Sequence, residues 1–534
     1  MRAKAIMVLG TSSHVGKSLV VAALCRIFAQ HGVRVAPFKS QNMSLNSAAT
    51  PEGLEIGRAQ ALQAEAAGVA ASVHMNPILL KPAGDMTSQI VVLGKIWGTL
   101  SAKDYHLRRV EELLPVVRAS YEALASEYEL IILEGAGSPA EINLKQHDIV
   151  NMRMAELANA HCLLLGDIDR GGVFASLLGT VELLDQPEQD RIYGFAINKF
   201  RGDLKLLQPG IEMMQKRLGK PGLGTIPYLH SLSLEEEDGL GLPAENNTPW
   251  QRDDAPSRPL RVAVLALPSF SNFTDFDALR AEPSVSLRFC RTADLLREVD
   301  LIVLPGSKQT VEDLLWLRAQ GLDRAILEHA HRSLVVGVCG GMQMLGEQVT
   351  DPLGMEHVGV LSGLGLLPIR TTMLAHKVTS LIHGTITGST LFGQPLPPTE
   401  VSGYEIHIGQ TTYLDGAQPF AQIARSATPA TQLADGCIAA DGRVFGTYIH
   451  GIFDGDSFRH AFLAAARAFH TLSPVTNYEP WKARREASLQ RLASEVERAL
   501  DMDRIFAWVG HTYQPLKPNL PEQPASGVPS GATA

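Results

Sequence analysis

The sequence contains few cysteines and no long apolar run. Five of its 534 residues are cysteines, and they are widely spaced without a Cys-X-X-Cys pair, which argues against a disulfide framework and against a structural zinc site. No apolar run approaches the roughly 20 residues that a membrane-spanning helix requires. The first residues lead directly into an apolar, strand-like run without the pattern of a signal peptide. We therefore expect a soluble, cytoplasmic protein with no membrane partner.

The sequence also has no excess of positive charge. It holds 47 Lys and Arg against 56 Asp and Glu, which gives a formal net charge of −9. Because general nucleic-acid binding requires a basic surface, we expect no nucleic-acid partner. The length predicts two or three domains, whereas it leaves the oligomeric state open.

The N-terminal stretch predicts a phosphate-binding loop. A strand-like run over residues 5–10 is followed by Thr11-Ser-Ser-His-Val-Gly16-Lys17-Ser18 and by a helix-like run. A strand, a glycine-rich loop, Lys-Ser and a helix in this order are typical of P-loop nucleotide-binding proteins. The loop is one residue longer than the usual spacing, because Thr11 stands where the first glycine is expected. The predicted ATP-binding residues are Gly10, Thr11, Gly16, Lys17 and Ser18, and the Ser18 hydroxyl is also a predicted Mg²⁺ ligand.

Other apolar runs in this half also end in polar residues. In a doubly wound parallel sheet, ligands bind outside the carboxyl ends of the strands. Glu134 is expected to hold Mg²⁺ directly or through water, the alternative being a solvent-exposed strand end. Asn198 is expected to bond an adenine edge, and Lys39 is either a solvated surface lysine or a ligand of phosphate or substrate. Further polar candidates for the same crevice are Asn42, Asn46, Asp148 and Arg170.

A second α/β unit is organised around Val335-Val-Gly-Val-Cys339-Gly-Gly-Met-Gln343. A cysteine between a β-type run and two glycines predicts a nucleophile elbow, in contrast to a cysteine buried within a strand. The N–H groups of Gly306 and Gly340 are expected to form an oxyanion hole. His450 is the leading candidate for the general base, and His407 is the competing one.

Composition also divides the chain. We predict a P-loop domain over residues 1–234, an acidic and Pro-rich linker over 235–259, and a second α/β domain over 260–460. A helical extension over 461–512 and a disordered tail over 513–534 are expected to follow. The predicted fold class is α/β, with two doubly wound domains.

Three motifs of the second domain resemble class I (triad) glutamine amidotransferases. They are Pro305-Gly306, Val338-Cys339-Gly-Gly-Met-Gln343 and Tyr448-Ile-His450-Gly. The resemblance implies that Cys339 attacks the carboxamide of glutamine while His450 transfers the proton. It also implies that Gln343, Tyr404 and Glu405 bind glutamine. Members of triad families usually carry a glutamate two residues after the histidine, where this chain has Ile452.

The whole chain up to about residue 500 closely resembles the cobyric acid synthase family. The first domain is similar to dethiobiotin synthetase, and the family motifs match residues 39–47, 166–174 and 402–407. The resemblance implies that glutamine and ATP-Mg²⁺ are used to amidate the b, d, e and g carboxylates of adenosylcobyrinic acid a,c-diamide, through acyl phosphates. It implies a corrinoid- or phosphate-binding set of Lys39, Asn42, Asn46, Asp148 and Arg170.

Two alternatives share part of this pattern. In cobyrinic acid a,c-diamide synthase we would expect carboxylates in the loop after Lys39, where this chain has Asn42 and Asn46. A partitioning-type P-loop ATPase with an inert amidotransferase-like domain predicts a degraded nucleophile site, whereas Cys339 and His450 are both present. A polycarboxylate substrate also requires local positive charge, for which the candidates are Lys39, Lys81, Arg170 and Arg201.

Overall fold

The structure is a computed structural model of the chain. It describes residues 3–83, 87–101, 103–105, 109–235, 250–356, 359–387, 390–426, 428–478 and 480–515. Most of the predicted linker (236–249) and most of the predicted tail (516–534) lie outside the described residues. Within the described part, no helix has the length and apolar character required to cross a membrane.

A six-stranded, fully parallel sheet forms the centre of the first domain. Its central strands are continuous apolar runs because helices cover both faces of the sheet. The strands, in spatial order, are Gly222–Pro227, Ile192–Phe200, His161–Asp167, Lys4–Gly10, Leu130–Glu134 and Val35–Phe38.

The helices of this domain follow the strands in the alternation that a parallel sheet requires. They span Lys17–Gln30, Arg58–Ala67, Leu114–Glu127, Met152–Ala158, Val173–Glu182, Gln186–Arg191 and Leu204–Leu218. Short 3₁₀ turns occur at Val73–Met75 and Ile142–His147, and a π turn occurs at Arg109–Leu113.

Two smaller β structures extend from the carboxyl side of the first domain. A four-stranded sheet has the order Gln41–Met43, Ile78–Ala83, Thr87–Val92 and Lys95–Ser101. A hairpin pairs Ser47–Ala49 with Glu55–Gly57. The helix that follows the hairpin begins at Arg58, because Glu55–Gly57 are paired in the hairpin.

The second domain has its own doubly wound sheet. The first five strands are parallel and the last is antiparallel, in the order Val285–Cys290, Leu260–Leu265, Leu301–Leu304, Leu334–Val338, Val444–Thr447 and Cys437–Ile438. The helices span Asp277–Arg280, Thr310–Ala319, Leu322–Ala330, Gly340–Leu345 and Asp456–Phe469, with 3₁₀ turns at Phe273–Phe276, Ala293–Leu296 and Ile452–Asp454.

A second, mostly antiparallel sheet adjoins this one and faces the first domain. Its two long strands, Ile369–Ile386 and Thr399–Tyr413, pair along most of their length. The remaining strands are Gln348–Asp351, Gly359–Ser362, Ala421–Arg425 and Thr428–Asp435, and a short separate pair joins Thr390–Leu391 to Gln394–Pro395. Ala49 of the first-domain hairpin packs against Tyr404 and Ile406 of the long strand, so the two domains share an apolar contact.

The C-terminal helices Trp481–Ala499 and Met502–Trp508 return to the first domain. Leu492 and Val496 of the first helix and Phe506 of the second share one buried core with residues of the helix Lys17–Gln30. The Phe506 ring stacks on Phe28, with 4.3 Å between the ring centroids. The first and last described segments of the chain therefore lie in the same domain.

Candidate functional site

The predicted phosphate loop has the backbone that its glycines require. Gly16 has a φ of 97°, in the left-handed region, and a Cβ on it would lie 2.3 Å from the amide nitrogen of Asn198. A Cβ on Gly10 would lie 2.6 Å from Val15 Cγ2, so the preceding strand approaches the loop closely. Lys17 Nζ folds back over the loop and donates to the carbonyl oxygens of Ser12 and Gly137 at 3.0 and 3.1 Å.

Glu134 ends its strand beside this loop and is buried. Its Oε1 accepts hydrogen bonds from the Ser18 hydroxyl at 2.8 Å and from Lys39 Nζ at 2.9 Å, while its Oε2 accepts from Gln63 Nε2 at 2.6 Å. The structure thus brings together four polar side chains at the carboxyl end of the central strands. Lys39 is 5% exposed and already holds an ion pair with Glu134, which excludes the alternative of a solvated surface lysine.

The remaining predicted residues of the first domain lie in three different environments. The Asn198 amide donates to the carbonyl oxygen of Val15 at 2.7 Å, so it stabilises the phosphate loop. The Asp148 carboxylate accepts from the backbone N–H groups of Val150, Asn151 and Arg153, at 2.9 to 3.1 Å, and so stabilises its own turn. The side chain of Arg170 is exposed in the loop after strand His161–Asp167.

The loop with Asn42 and Asn46 faces the second domain. Asn42 Nδ2 donates to Gln60 Oε1 at 3.0 Å, within the first domain. Asn46 Oδ1 accepts from the backbone N–H of Phe273 at 3.3 Å, and the N–H of Ser47 donates to Asn272 Oδ1 at 3.0 Å. This loop therefore links the two domains by buried hydrogen bonds.

Cys339 lies at a strained turn between strand Leu334–Val338 and helix Gly340–Leu345. Its φ of 52° and ψ of −111° are values that a residue other than glycine rarely adopts, as in nucleophile elbows. A Cβ on Gly341 would lie 1.9 Å from the carbonyl oxygen of Leu304, and one on Gly340 would lie 2.9 Å from the N–H nitrogen of Ser307. Both glycines are thus required by the close approach of the neighbouring strand end.

A buried carboxylate completes a Cys-His-Asp arrangement. His450 interacts electrostatically with Cys339, and its Nδ1 lies 2.7 Å from Asp275 Oδ2. Asp275 Oδ1 also accepts from the backbone N–H of Gly451 at 2.9 Å, and both His450 and Asp275 are only 1% exposed. Burial by itself lowers the pKa of His450, but the charges of Asp275 and then of Cys339 raise it to about 10. The acid that is absent at Ile452 is supplied by a different segment of the chain.

Asp275 was not identified from the sequence. It lies in the 3₁₀ turn Phe273–Phe276, which follows strand Leu260–Leu265 by a short loop. The available signal was the polar stretch Ser271-Asn-Phe-Thr-Asp275, which comes soon after an apolar strand at the same end of the sheet as Cys339.

Gln343 and the two oxyanion-hole candidates lie around Cys339. Gln343 accepts a hydrogen bond from the Thr310 hydroxyl and donates to the Tyr448 hydroxyl, each at 3.1 Å, so its amide is fixed. The α-carbon of Gly306 faces the His450 ring, since a Cβ there would lie 3.1 Å from His450 Cε1. Gly306 therefore lies near the imidazole, while Gly340 directly follows the cysteine.

Tyr404, Glu405 and His407 lie on the long strand that runs across this site. The Tyr404 ring stacks on His450 with 5.2 Å between centroids, and the two backbones exchange hydrogen bonds. Glu405 forms an ion pair with Arg425 at 2.7 Å. His407 stacks on Tyr448, and its Nδ1 lies 2.8 Å from the carbonyl oxygen of Gly409. The structure therefore pairs Cys339 with His450 and holds His407 in a different set of contacts.

Asn272 connects the imidazole to the first domain. Its Nδ2 lies 3.4 Å from the ring nitrogens of His450, while its Oδ1 accepts the N–H of Ser47 from the other domain. Asn272 has a φ of 54°, in the left-handed region. The two domains are thus in direct contact at the catalytic histidine candidate.

A buried cluster of charges lies beside Cys339. Two of its residues, Lys81 and Lys377, line the same cavity as the cysteine. Glu55 accepts from Lys81 Nζ at 2.7 Å and also forms an ion pair with Lys377 of the second domain. Although burial alone raises the pKa of Glu55, the charges of Lys377 and Lys81 hold it well below its usual range. Burial lowers the pKa of Lys377 to about 8, even though the charge of Glu55 opposes this change. Lys81 therefore already holds a carboxylate at the domain interface.

Comparisons with known proteins agree with this geometry. Residues 6–242 match the CobQ/CobB/MinD/ParA nucleotide binding domain, and residues 261–458 match the CobB/CobQ-like glutamine amidotransferase domain. The cobyric acid synthase of Moorella thermoacetica is 49% identical over 95% of this chain and 99% of its own length. The chain belongs to the cobyric acid synthase family. The cobyric acid synthase of Pelotomaculum thermopropionicum is 45% identical over 99% of this chain and 100% of its own length.

Similarity to solved structures is weaker. The structure of PurLQS from Thermotoga maritima has a TM-score of 0.31 and 15% sequence identity over 40% of this chain and 97% of that chain, which is too low to inform function. The two family models and the long relatives confirm the predicted family, the α/β fold class with two domains, and the predicted class of glutamine-hydrolysing amidoligase. The match of residues 6–242 identifies the first domain as a nucleotide-binding domain, which implies that it binds ATP.

Proposed function

We propose that this member of the cobyric acid synthase family amidates the b, d, e and g carboxylates of adenosylcobyrinic acid a,c-diamide, with glutamine as the nitrogen source and ATP-Mg²⁺ as the energy source. The observation that carries the proposal is the buried Cys339–His450–Asp275 arrangement in contact with a P-loop domain. An inert amidotransferase-like domain would have no need to retain a strained cysteine and a buried His-Asp pair.

At the second domain, Cys339 Sγ attacks the carboxamide carbon of glutamine. His450 takes the thiol proton of Cys339 and donates it to the amide nitrogen, which leaves as ammonia; water then hydrolyses the glutamyl thioester to glutamate and restores the thiol. Asp275 orients the imidazole and favours its protonated form, as the raised pKa of His450 indicates. The N–H of Gly340, together with an N–H of the Gly306 loop, stabilises the oxyanion, and the amide of Gln343 helps to form the wall of the glutamine site.

At the first domain, a substrate carboxylate takes the γ-phosphoryl group of ATP to form an acyl phosphate. Ammonia then displaces phosphate from this acyl carbon to give the amide. Lys17 and the N–H groups of residues 10–18 bind the phosphates, while Asn198 keeps the loop in place. The cavity beside Cys339 is also lined by Lys81 and Gln89 of the first domain, which supports delivery of ammonia across the interface.

The residues beside the loop fit Mg²⁺. The Ser18 hydroxyl and the Glu134 carboxylate lie 2.8 Å apart, and Mg²⁺ in nucleotide sites binds one or two protein oxygens together with phosphates and water. Mg²⁺ held there would neutralise the charge of the phosphates. Among the described residues, no group of three or more His, Cys, Asp or Glu could hold a metal ion.

Three of the residues expected at the corrinoid site are buried. Of the residues expected there, Lys39 is bonded to Glu134, and Asn42 and Asn46 are buried near the domain contact. We place the substrate carboxylate near Lys39 because the γ-phosphate must also be within reach. The five cysteines, which are all free thiols, fit a location in the cytoplasm.

Mass spectrometry of the corrinoid product tests the proposal. With the a,c-diamide, glutamine and ATP-Mg²⁺, we expect four successive conversions of a carboxyl group to a carboxamide. Conversion of unamidated cobyrinic acid without conversion of the a,c-diamide would favour cobyrinic acid a,c-diamide synthase. ATP hydrolysis without change in either corrinoid would favour the switch-ATPase alternative and refute the proposal.

A further inference from the structure

The cavity that ends at Cys339 carries charges of both signs on its wall. Besides Cys339 and Gln343, its lining includes Lys308 and Glu356 of the second domain. Lys308 follows the Gly306 loop, two residues after the oxyanion-hole candidate. Glu356 accepts the backbone N–H of Val311 at 3.0 Å, and Val311 follows Thr310, which bonds Gln343. The segment 308–311 and its hydrogen bonds therefore link Lys308 and Glu356 to Gln343, in the helix that follows Cys339.

The backbone N–H groups of both residues are held by hydrogen bonds. The Lys308 N–H donates to the carbonyl oxygen of Ser269 at 2.9 Å. The N–H of Glu356 donates to Asp351 Oδ2 at 2.7 Å, while Asp351 Oδ1 accepts from Met355. A buried aspartate thus orders the loop that presents the Glu356 carboxylate.

The other two lysines of the cavity are already engaged. Lys81 and Lys377 share the carboxylate of Glu55. Within the described residues, no carboxylate lies within 4 Å of Lys308 Nζ, and Lys308 and Glu356 interact electrostatically without forming a close ion pair. Burial lowers the pKa of Lys308 and raises that of Glu356 to about 7, so each charge is held at a desolvation cost.

Free glutamine has the complementary arrangement of charges. Its carboxamide must reach Cys339, and at its other end it carries an α-ammonium and an α-carboxylate on one carbon. A site that selects glutamine over other primary amides therefore needs an anion and a cation that bind these two groups while the carboxamide lies at the nucleophile. Buried polar groups that lose their partner reject analogues strongly.

We propose that Glu356 binds the α-ammonium group and Lys308 binds the α-carboxylate group of glutamine, which makes the pair the specificity determinant of the glutaminase site. The inference rests on the proposed function, because it requires glutamine as the nitrogen donor. It adds two residues to the glutamine site predicted from Gln343, Tyr404 and Glu405.

The test compares glutamine with two analogues that each lack one head group. Glutaramate lacks the α-amino group, and 4-aminobutanamide lacks the α-carboxylate. Ammonia release is measured with the full chain in the presence of ATP-Mg²⁺ and corrinoid, for the wild type, Glu356→Gln and Lys308→Met. The exposed Glu328→Gln and Lys205→Met serve as matched controls.

We expect kcat/KM for glutamine to fall roughly 10- to 100-fold in each variant, since each loses a charge-assisted bond. For Glu356→Gln, kcat/KM for glutaramate should stay close to the wild-type value, and for Lys308→Met the value for 4-aminobutanamide should do so. Equal losses on glutamine and on the matching analogue, or no loss in either variant, would overturn the inference.

Amidation driven by ammonium chloride separates this result from the proposed function. Both variants should retain it, which also shows that they fold. A wild type that releases no ammonia from glutamine would refute the proposed function and the inference together. A wild type that does so, but with variants that show no analogue pattern, would refute the inference alone.

Discussion

Replacement of Asp275 by asparagine should impair the glutaminase and leave the synthetase intact. Asp275 holds His450 Nδ1 at 2.7 Å and is itself buried, so the variant exchanges a charge-assisted hydrogen bond for a neutral one. Bonds of this kind contribute about 1.5 to 3 kcal/mol, which corresponds to a loss of roughly 10- to 150-fold. We expect this loss in kcat, with KM for glutamine nearly unchanged, because Asp275 does not touch the proposed glutamine site.

The pH dependence gives a second readout of the same change. The charge of Asp275 is the main cause that raises the pKa of His450 to about 10 against the opposing effect of burial. Without this charge the imidazolium loses its proton at lower pH, so the alkaline limb of the glutaminase profile should move to lower pH. Because the folded pKa lies above the unfolded value of about 6.5, the His450–Asp275 pair stabilises the fold fully below that value. This stabilisation is lost as the pH rises toward 10, so the stability difference between the wild type and the variant should narrow.

Asp277, two residues after Asp275 in the chain, provides a matched control. Asp277→Asn also removes a carboxylate, but burial raises the pKa of Asp277 to about 7 and the side chain pairs with Arg280. Ammonia release from glutamine and amidation driven by ammonium chloride are measured for both variants. An Asp275→Asn variant with wild-type kcat and an unshifted alkaline limb would refute the role of Asp275.

Three further predictions concern other parts of the molecule. Glu134→Gln should reduce amidation driven by ammonium chloride roughly 100-fold, because a preorganised charge at the phosphate site is lost, while ammonia release from glutamine continues; a variant with full amidation would contradict this. Glu55→Gln should lower the free energy of unfolding by about 3–5 kcal/mol in urea titrations, since two buried lysines lose their shared carboxylate; the exposed Glu52→Gln is its control and should have little effect. Gly179→Ala should raise stability by about 0.5–1 kcal/mol, because its helix offers open space for a Cβ, and an unchanged or lower thermal midpoint would argue against it.

Residues that act through local patterns were found from the sequence. The phosphate loop and the Cys339 elbow each combine an apolar run with glycines that have a steric purpose, as Gly16 and Gly341 show. Such a pattern predicts its own backbone geometry, so the surrounding strand and helix follow from it. The same holds for Glu134, whose position at the end of an apolar strand placed it beside the loop.

Asp275, which acts on a residue of a distant segment, was not found from the sequence. Asp275 and His450 are far apart in the chain. The acid of triad families usually lies two residues after the histidine, and this chain has Ile452 there. Asp148 shows the opposite difficulty, since a polar residue in the expected crevice bonds its own turn. Spacing along the chain cannot distinguish a carboxylate that caps a turn from one that faces a ligand.

The return of the C-terminal helices to the first domain affects how the chain can fold during synthesis. Leu492, Val496 and Phe506 complete a core that also contains residues of the phosphate-loop helix, and they leave the ribosome after the second domain. Most of the core of the second domain, from Trp250 to Leu472, is therefore synthesised before the first domain can close. Until residues 481–508 emerge, the outer face of the nucleotide-binding helix stays uncovered. A product truncated before residue 481 would therefore carry most of the core of the second domain without the helices that cover the first.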